Sequence, residues 1–188
     1  MNAFKRTLVG LAVAAALGSG ATQAQISDNV IKIGVLSDMS SLYTDLAGAG
    51  SIVAARMAVE DSGIEKRGVK VEFLSADHQN KPDVGSGIAR QWYDVDKVDV
   101  IVGSTITPNS LAMVDVVADA ETPMVSMAAS ARIVDPANPK TKWVFKTPQS
   151  DSLMADAIAI HMTANGVKTM GYIGFADGYG GGWLGELR

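Results

Sequence analysis

Apolar residues in this chain gather into six short runs, with longer stretches of helical spacing between them. Val30 to Leu36, Val69 to Leu74, Val98 to Val102, Pro123 to Met127, Trp143 to Phe145 and Thr169 to Ile173 each read as a buried β-strand. Gly48 to Ser62 places Ile52, Ala55, Ala58 and Val59 on one helical face. Pro82 to Tyr93 starts on Asn80 and Pro82, and Asn109 to Asp119 repeats Leu111, Val114, Val117 and Ala118. Ser150 to Asn165 carries the stripe Leu153, Ala157, Ile160 and Ala164, with Gly166 as its stop.

Strands alternating with helices predict right-handed crossovers and an α/β fold with a doubly wound, mostly parallel sheet. An all-helical chain does not account for the short valine and isoleucine runs between glycines and prolines. A boundary is expected near Lys146-Thr147-Pro148-Gln149. The five strands and three helices before it suffice for one small doubly wound layer. The helix and strand after it begin a second unit, and one or two strands alone would leave their faces uncovered.

The amino terminus has a different pattern. Lys5 and Arg6 precede an apolar run from Leu8 to Leu17, and Ser19 to Ala24 is small and polar, which is the pattern of a secretory signal peptide cut after Ala24. The expected organisation is a signal peptide at 1–24, an amino-terminal lobe at 25–146, and a hinge crossing with the start of a second lobe at 147–188. Residues 25–188 then carry 14 basic and 20 acidic residues. An acidic surface with no basic cluster argues against nucleic acid or an anionic membrane as partner. There is no cysteine, so disulfides, thiol catalysis, cysteine metal sites and a lipidated cysteine after the signal are all excluded. A soluble exported protein is expected.

In open parallel sheets, ligands bind outside the carboxyl ends of the strands. The loops there are 37–43, 76–80, 103–109, 128–130 and 175–180, which are rich in hydroxyls, small residues and helix starts. Such groups hold a small anion through hydroxyls and free backbone N–H groups. Thr105 and Thr107 are placed either to donate to a carboxylate or to cap a helix, and Ser130 either to meet an ammonium or to serve the turn. Tyr43 and Tyr179 either wall an apolar ligand side chain or are ordinary loop tyrosines. Trp92 and Trp143 follow packing patterns. Asp77-His78 is the one pair suggestive of catalysis, but a nucleophile is not evident, because Ser126 falls inside a strand. The two histidines give no convincing metal site. The glycines from Gly178 to Gly182 lack the spacing and the lysine of a phosphate loop. No cofactor is expected.

The segment Ile31-Lys32-Ile33-Gly34-Val35-Leu36-Ser37-Asp38-Met39-Ser40-Ser41 resembles the start of a type I periplasmic substrate-binding protein of the leucine/isoleucine/valine-binding family. Asp77 to Pro82, Val102-Gly103-Ser104, Pro123 to Ser126, Phe145-Lys146-Thr147 and Tyr179-Gly180 follow in the family's order. The resemblance implies two α/β lobes that close over an amino acid or related small carboxylate and deliver it to the membrane permease of an ABC transporter. It implies a monomeric, periplasmic, non-enzymatic protein. It assigns Thr105, Ile106 (through its backbone) and Thr107 to the ligand carboxylate, and Ala128 (carbonyl) and Ser130 to the α-amino group. Tyr179 is the second-lobe aromatic over the ligand, and Tyr43 belongs to the loop lining the side-chain pocket. Asp77 is structural in this resemblance, close to the pocket rim. The family's Gly-Pro after the first serine is Ser41-Leu42 here, a departure that bears on the fit to plain branched-chain amino acids. The family's second-lobe acidic residue for the ammonium has no counterpart in this sequence.

Two rival readings use the same layer. A small α/β hydrolase needs Asp77, His78 and a serine in mutual contact. A ligand-sensing regulatory domain fits the fold but not an export signal.

Overall fold

In the computed structural model, which describes residues 29–147, 150–174, 180–181 and 184–185, the first five apolar runs become strands. They are β1 (Val30–Ser37), β2 (Lys70–Asp77), β3 (Val100–Gly103), β4 (Met124–Ser126) and β5 (Val144–Lys146). All neighbours pair in parallel, in the order β2-β1-β3-β4-β5. The helices are α1 (Thr44–Ser62), α2 (Pro82–Gln91), α3 (Thr107–Ala120) and α4 (Asp151–Ala164). From β1 the chain steps one way across the sheet through α1. From β2 onward it travels the other way. Right-handed crossovers therefore put α1 on one face and α2 and α3 on the other.

The core lies on the α2/α3 face. Gly34, Ile101, Met124 and Val144 stand side by side in one row across four strands. The three apolar side chains of this row, with Leu36, pack against Ala89, Trp92 and Tyr93 from the α2 region and Met113, Val114 and Val117 from α3. A Cβ on Gly34 would stand 2.5 Å from the Trp92 ring, so glycine is what lets that indole approach β1 so closely. Trp143 packs against the same core.

Four expectations change. Thr169 to Ile173 forms no strand, and its Ile173 is fully exposed; no strand among the described residues lies beside it to complete a ladder. The predicted stripe on α4 is exposed, with Leu153 at 64% and Ile160 at 70%, and the helix is anchored instead by buried Asp151 and Ala155. The second helix ends at Gln91 and runs on as a π-helical turn, Trp92–Asp96, which swings Trp92 and Tyr93 into the core. On α1, Ile52, Ala55 and Val59 are half-buried but Ala58 is exposed, and the helix is kinked at Gly48. The expected signal peptide lies outside the described residues.

Candidate ligand-binding site at the carboxyl ends of the strands

β1 and β3 are neighbours whose connections leave for opposite faces of the sheet. In open parallel sheets such a divergence is where ligands bind, at the carboxyl ends of the strands; here that place is bordered by the loop after β1 on one side and the loops after β3 and β4 on the other.

The loop after β1 is fixed by two carboxylates. Asp38 is fully buried and accepts hydrogen bonds from the N–H of Ser41 (3.0 Å), the hydroxyl of Ser41 (2.6 Å) and the N–H of Tyr43 (2.9 Å). Asp77, at the end of β2, accepts from the N–H of Met39 (2.9 Å), the N–H of Gln79 (2.8 Å) and the Ser40 hydroxyl. Burial raises the pKa of both carboxyls, but the donated hydrogen bonds outweigh it and hold each below the ordinary aspartate value. Tyr43 stands half-buried at the N-cap position of α1, its N–H tied to Asp38.

After β3 the backbone turns through two consecutive left-handed residues, Gly103 (φ 108°) and Ser104 (φ 47°). A Cβ at position 103 would sit 2.6 Å from the carbonyl oxygen of Leu36, so glycine is required twice over. The Ser104 N–H then donates to that same carbonyl (2.8 Å), anchoring the turn to β1. The turn delivers Thr105, Ile106 and Thr107 to the start of α3. Ile106 occupies the N-cap position and no side chain caps the helix, so neither threonine serves as its cap. The Thr105 hydroxyl is buried and has no hydrogen-bond partner among the described residues.

After β4, Ala128 is buried, and the Ser130 hydroxyl is buried and likewise without a partner. Asp151 holds this loop from α4. Its N–H donates to the carbonyl of Ala129 (3.1 Å) and its carboxylate accepts the N–H of Ala131 (2.8 Å). The loops after β3 and β4 are joined beneath the surface by three serines. The Ser110 hydroxyl lies 2.6 Å from the Ser104 carbonyl oxygen, 2.9 Å from the Ser104 hydroxyl and 2.8 Å from the Ser126 hydroxyl. Sequence reasoning missed Ser110 and read Ser126 only as a strand residue; serines at buried positions of a helix and a strand were the available signal.

The structure thus brings Thr105, Ile106, Thr107, Ala128 and Ser130 to adjacent strand ends, with Tyr43 in the loop after the neighbouring strand β1. Tyr179 lies outside the described residues. A separate open depression of about 560 Å³ lies by Lys32, Glu72 and Asp96 in the amino-terminal half of the sheet, away from these residues.

Among the described residues, the His78 side chain makes no hydrogen bond to a carboxylate or a hydroxyl. Burial pushes its pKa down from the ordinary value of 6.5, against the pull of Asp38 and Asp77. Its Nδ1 accepts the N–H of Asn80 (3.1 Å), and its Nε2 meets no partner among the described residues. Asp77 is engaged by the loop donors instead. Among the described residues, no group of three or more histidines and carboxylates is placed to hold a metal ion. Nor is any described helix long and apolar enough to cross a membrane.

A parallel lobe with small polar loops converging at the switch point is the architecture of a substrate-binding lobe. Residues 30–186 match the family described as periplasmic binding protein, and the chain belongs to that family. No curated protein matches the sequence. Among solved structures, a periplasmic binding protein from Burkholderia mallei is 29% identical with a TM-score of 0.76, over 85% of this chain and 42% of that one. An extracellular ligand-binding receptor from Rhodopseudomonas palustris is 34% identical with a TM-score of 0.69, over 84% of this chain and 42% of that one. An ABC-transporter solute-binding protein from R. palustris in complex with 3,4-dihydroxybenzoic acid shares the fold at 22% identity and a TM-score of 0.69, over 85% of this chain and 43% of that one. The chain therefore spans less than half the length of these relatives.

Proposed function

We propose that this chain is the ligand-grasping part of an exported solute-binding protein that captures a small carboxylate between two lobes for uptake by an ABC transporter. The observation that carries the reading is the pair of buried hydroxyls, Thr105 and Ser130, that have no partner among the described residues at the ends of adjacent strands β3 and β4. A buried hydroxyl without a partner costs on the order of 1–3 kcal/mol, and a bound ligand carrying oxygen or nitrogen removes that cost. Thr105 and Thr107, with the uncapped start of α3, provide donors and a positive dipole end for a carboxylate. Ser130 and the Ala128 carbonyl meet the ligand's other polar group, and Tyr43 and Tyr179 border its apolar part.

Residues 25–146 form the first lobe in this reading, and 147–188 the crossing and start of the second. The exposed apolar stripe of α4 supports that division, because it needs a partner outside the first lobe. Export to the periplasm by the 1–24 segment, a monomeric state and a membrane permease partner belong to the same proposal. Ligand between the lobes favours the closed state by its greater affinity for it, so the mechanism is capture rather than chemistry. The spent Asp77 and the Nδ1 bond of His78 weigh against hydrolysis.

The test is calorimetry of the longest natural polypeptide carrying this sequence, against aliphatic and aromatic carboxylates with and without an α-amino group. Saturable heat with one class supports the reading and names the ligand. Absence of heat across the panel contradicts it.

A further inference from the structure

The end of β2 holds a second group of buried polar side chains, on the α2/α3 face of the sheet. Leu74 and Ala76 pack against the core there. His78, next on the same strand face, is fully buried. In the loop that follows, Gln79 and Asn80 both take the left-handed backbone (φ 53° each) that residues other than glycine seldom adopt. Two acceptors hold them in it. The Asp77 carboxylate takes the Gln79 N–H (2.8 Å), and His78 Nδ1 takes the Asn80 N–H (3.1 Å). An accepting Nδ1 bears no proton, so the ring is neutral with its hydrogen on Nε2.

Asn80 passes the connection to α3. Its side-chain oxygen accepts the Nδ2–H of Asn109 at 3.4 Å. Asn109 is fully buried and stands two residues past Thr107 in the first turn of that helix. Gly85 on α2 leaves the room, because a Cβ there would stand 2.9 Å from Asn109 Oδ1 and 3.5 Å from the His78 Cβ. The next residue, Ser110, closes the first turn by donating its N–H to the Ile106 carbonyl (3.0 Å). A line of hydrogen bonds thus runs from the His78 ring to the start of the helix that presents Thr105, Ile106 and Thr107.

We propose that His78 is a positioning residue for the start of α3, acting through Asn80 and Asn109, and that protonation of its Nδ1 releases that start. A second proton on the ring turns Nδ1 from acceptor to donor and sets it against the Asn80 N–H. Asn80 then loses the bond that keeps it left-handed, and Asn109 loses its partner. Burial opposes the proton most strongly, while the carboxylates of Asp38 at the end of β1 and Asp77 at the end of β2 favour it. In the loop, the exposed Lys81 gives its ammonium to the Gln79 side chain (3.1 Å). α2 turns Gly85 toward His78 and keeps Asp83 exposed, and α3 has no charged residue from Thr107 to Val114. The ring takes its proton more readily with the loop open than closed. Opening therefore rises as pH falls below about 6.5, by at most about tenfold per pH unit for one proton. This device needs only the fold; its consequence, a weaker grip on a carboxylate in acid, rests on the proposed function.

Amide hydrogen exchange tests the relay without any ligand, so its failure is distinct from a failure to bind carboxylates. It is read residue by residue by NMR on the longest natural polypeptide carrying this sequence, corrected for the intrinsic pH dependence of exchange. From about pH 6.5 to 5.5, protection of the Asn80 and Ser110 amides should fall about 3- to 10-fold. Gly63, whose N–H closes the far end of α1 on the Glu60 carbonyl (3.1 Å), should stay level. Both rates should ignore about 1 M urea, the mark of local rather than global opening. His78→Asn keeps an acceptor near the place of Nδ1 with no proton to gain, and should remove the step at both amides. Asn109→Ala should keep the step at Asn80 and remove it at Ser110. Level protection at Asn80, a step that does not reach Ser110, an equal fall at Gly63 or a urea-dependent step each overturns the proposal. So does a step that survives in His78→Asn, or one at Ser110 that survives in Asn109→Ala. The unsubstituted protein alone decides the matter if either variant does not fold.

Discussion

Replacing Asp38 with alanine removes the acceptor of three hydrogen bonds from a fully buried position. Hydrogen bonds to a charged group contribute about 1.5–3 kcal/mol each, giving a gross loss of roughly 5–9 kcal/mol if every donor stayed buried. Ser41 is exposed and Tyr43 only half-buried, so the freed donors regain water and the net loss should be about 2–4 kcal/mol. With a urea slope of about 2 kcal/mol/M for a domain of this size, the midpoint falls by about 1–2 M. Trp92, buried beneath β1, gives the fluorescence signal. Asp38→Asn keeps one acceptor oxygen and should lose about half as much. A midpoint shift under about 0.3 M for Asp38→Ala would show that the loop after β1 is not held by this carboxylate.

Three further outcomes follow from the same geometry. Thr105→Val and Ser130→Ala remove buried hydroxyls without partners, so urea midpoints should stay level or rise slightly while carboxylate affinity drops about 10-fold or more; a loss of stability instead would assign these residues to the fold. Gly103→Ala places a Cβ against the Leu36 carbonyl at a left-handed φ and should cost about 3 kcal/mol or more in the same urea assay. Acidification should destabilise the chain in two stages. His78 has a lowered pKa in the folded state, so its contribution is complete above about 6.5 and declines as pH falls below that value. Asp38 and Asp77 also have lowered folded values, so their contribution persists above about 3.8 and is lost below it. Urea midpoints from pH 8 to 3 should show both stages, with His78→Gln abolishing the first.

Most of the sheet was legible in the sequence because β-branched runs between glycines and prolines are local signals. Val30 to Leu36 and Val98 to Val102 have few competing solutions. Thr169 to Ile173 has the same local signal yet forms no strand, because a strand exists only with a neighbour to complete its hydrogen bonds. The α4 stripe misled in the same way. Leu153 and Ile160 declare an apolar face, but periodicity says nothing about what meets it. At the candidate site, strand-end loops mark where a ligand is expected, and the structure leaves the hydroxyls of Thr105 and Ser130 there buried and without a partner among the described residues. What the sequence did not disclose was support at a distance. Asp38 gripping Tyr43, and Ser110 bridging Ser104 to Ser126, depend on side chains meeting across elements, which spacing along the chain does not encode.

The central claim is that hydroxyls at the ends of β3 and β4 hold a small carboxylate. Calorimetry of the longest natural polypeptide carrying this sequence, run beside its Thr105→Val variant against the carboxylate panel, tests it most directly. The account predicts saturable heat for one carboxylate class and at least 10-fold weaker binding in the variant, for the loss of a hydrogen bond to a charged group. Unchanged affinity in Thr105→Val, or no heat from any carboxylate, would contradict it.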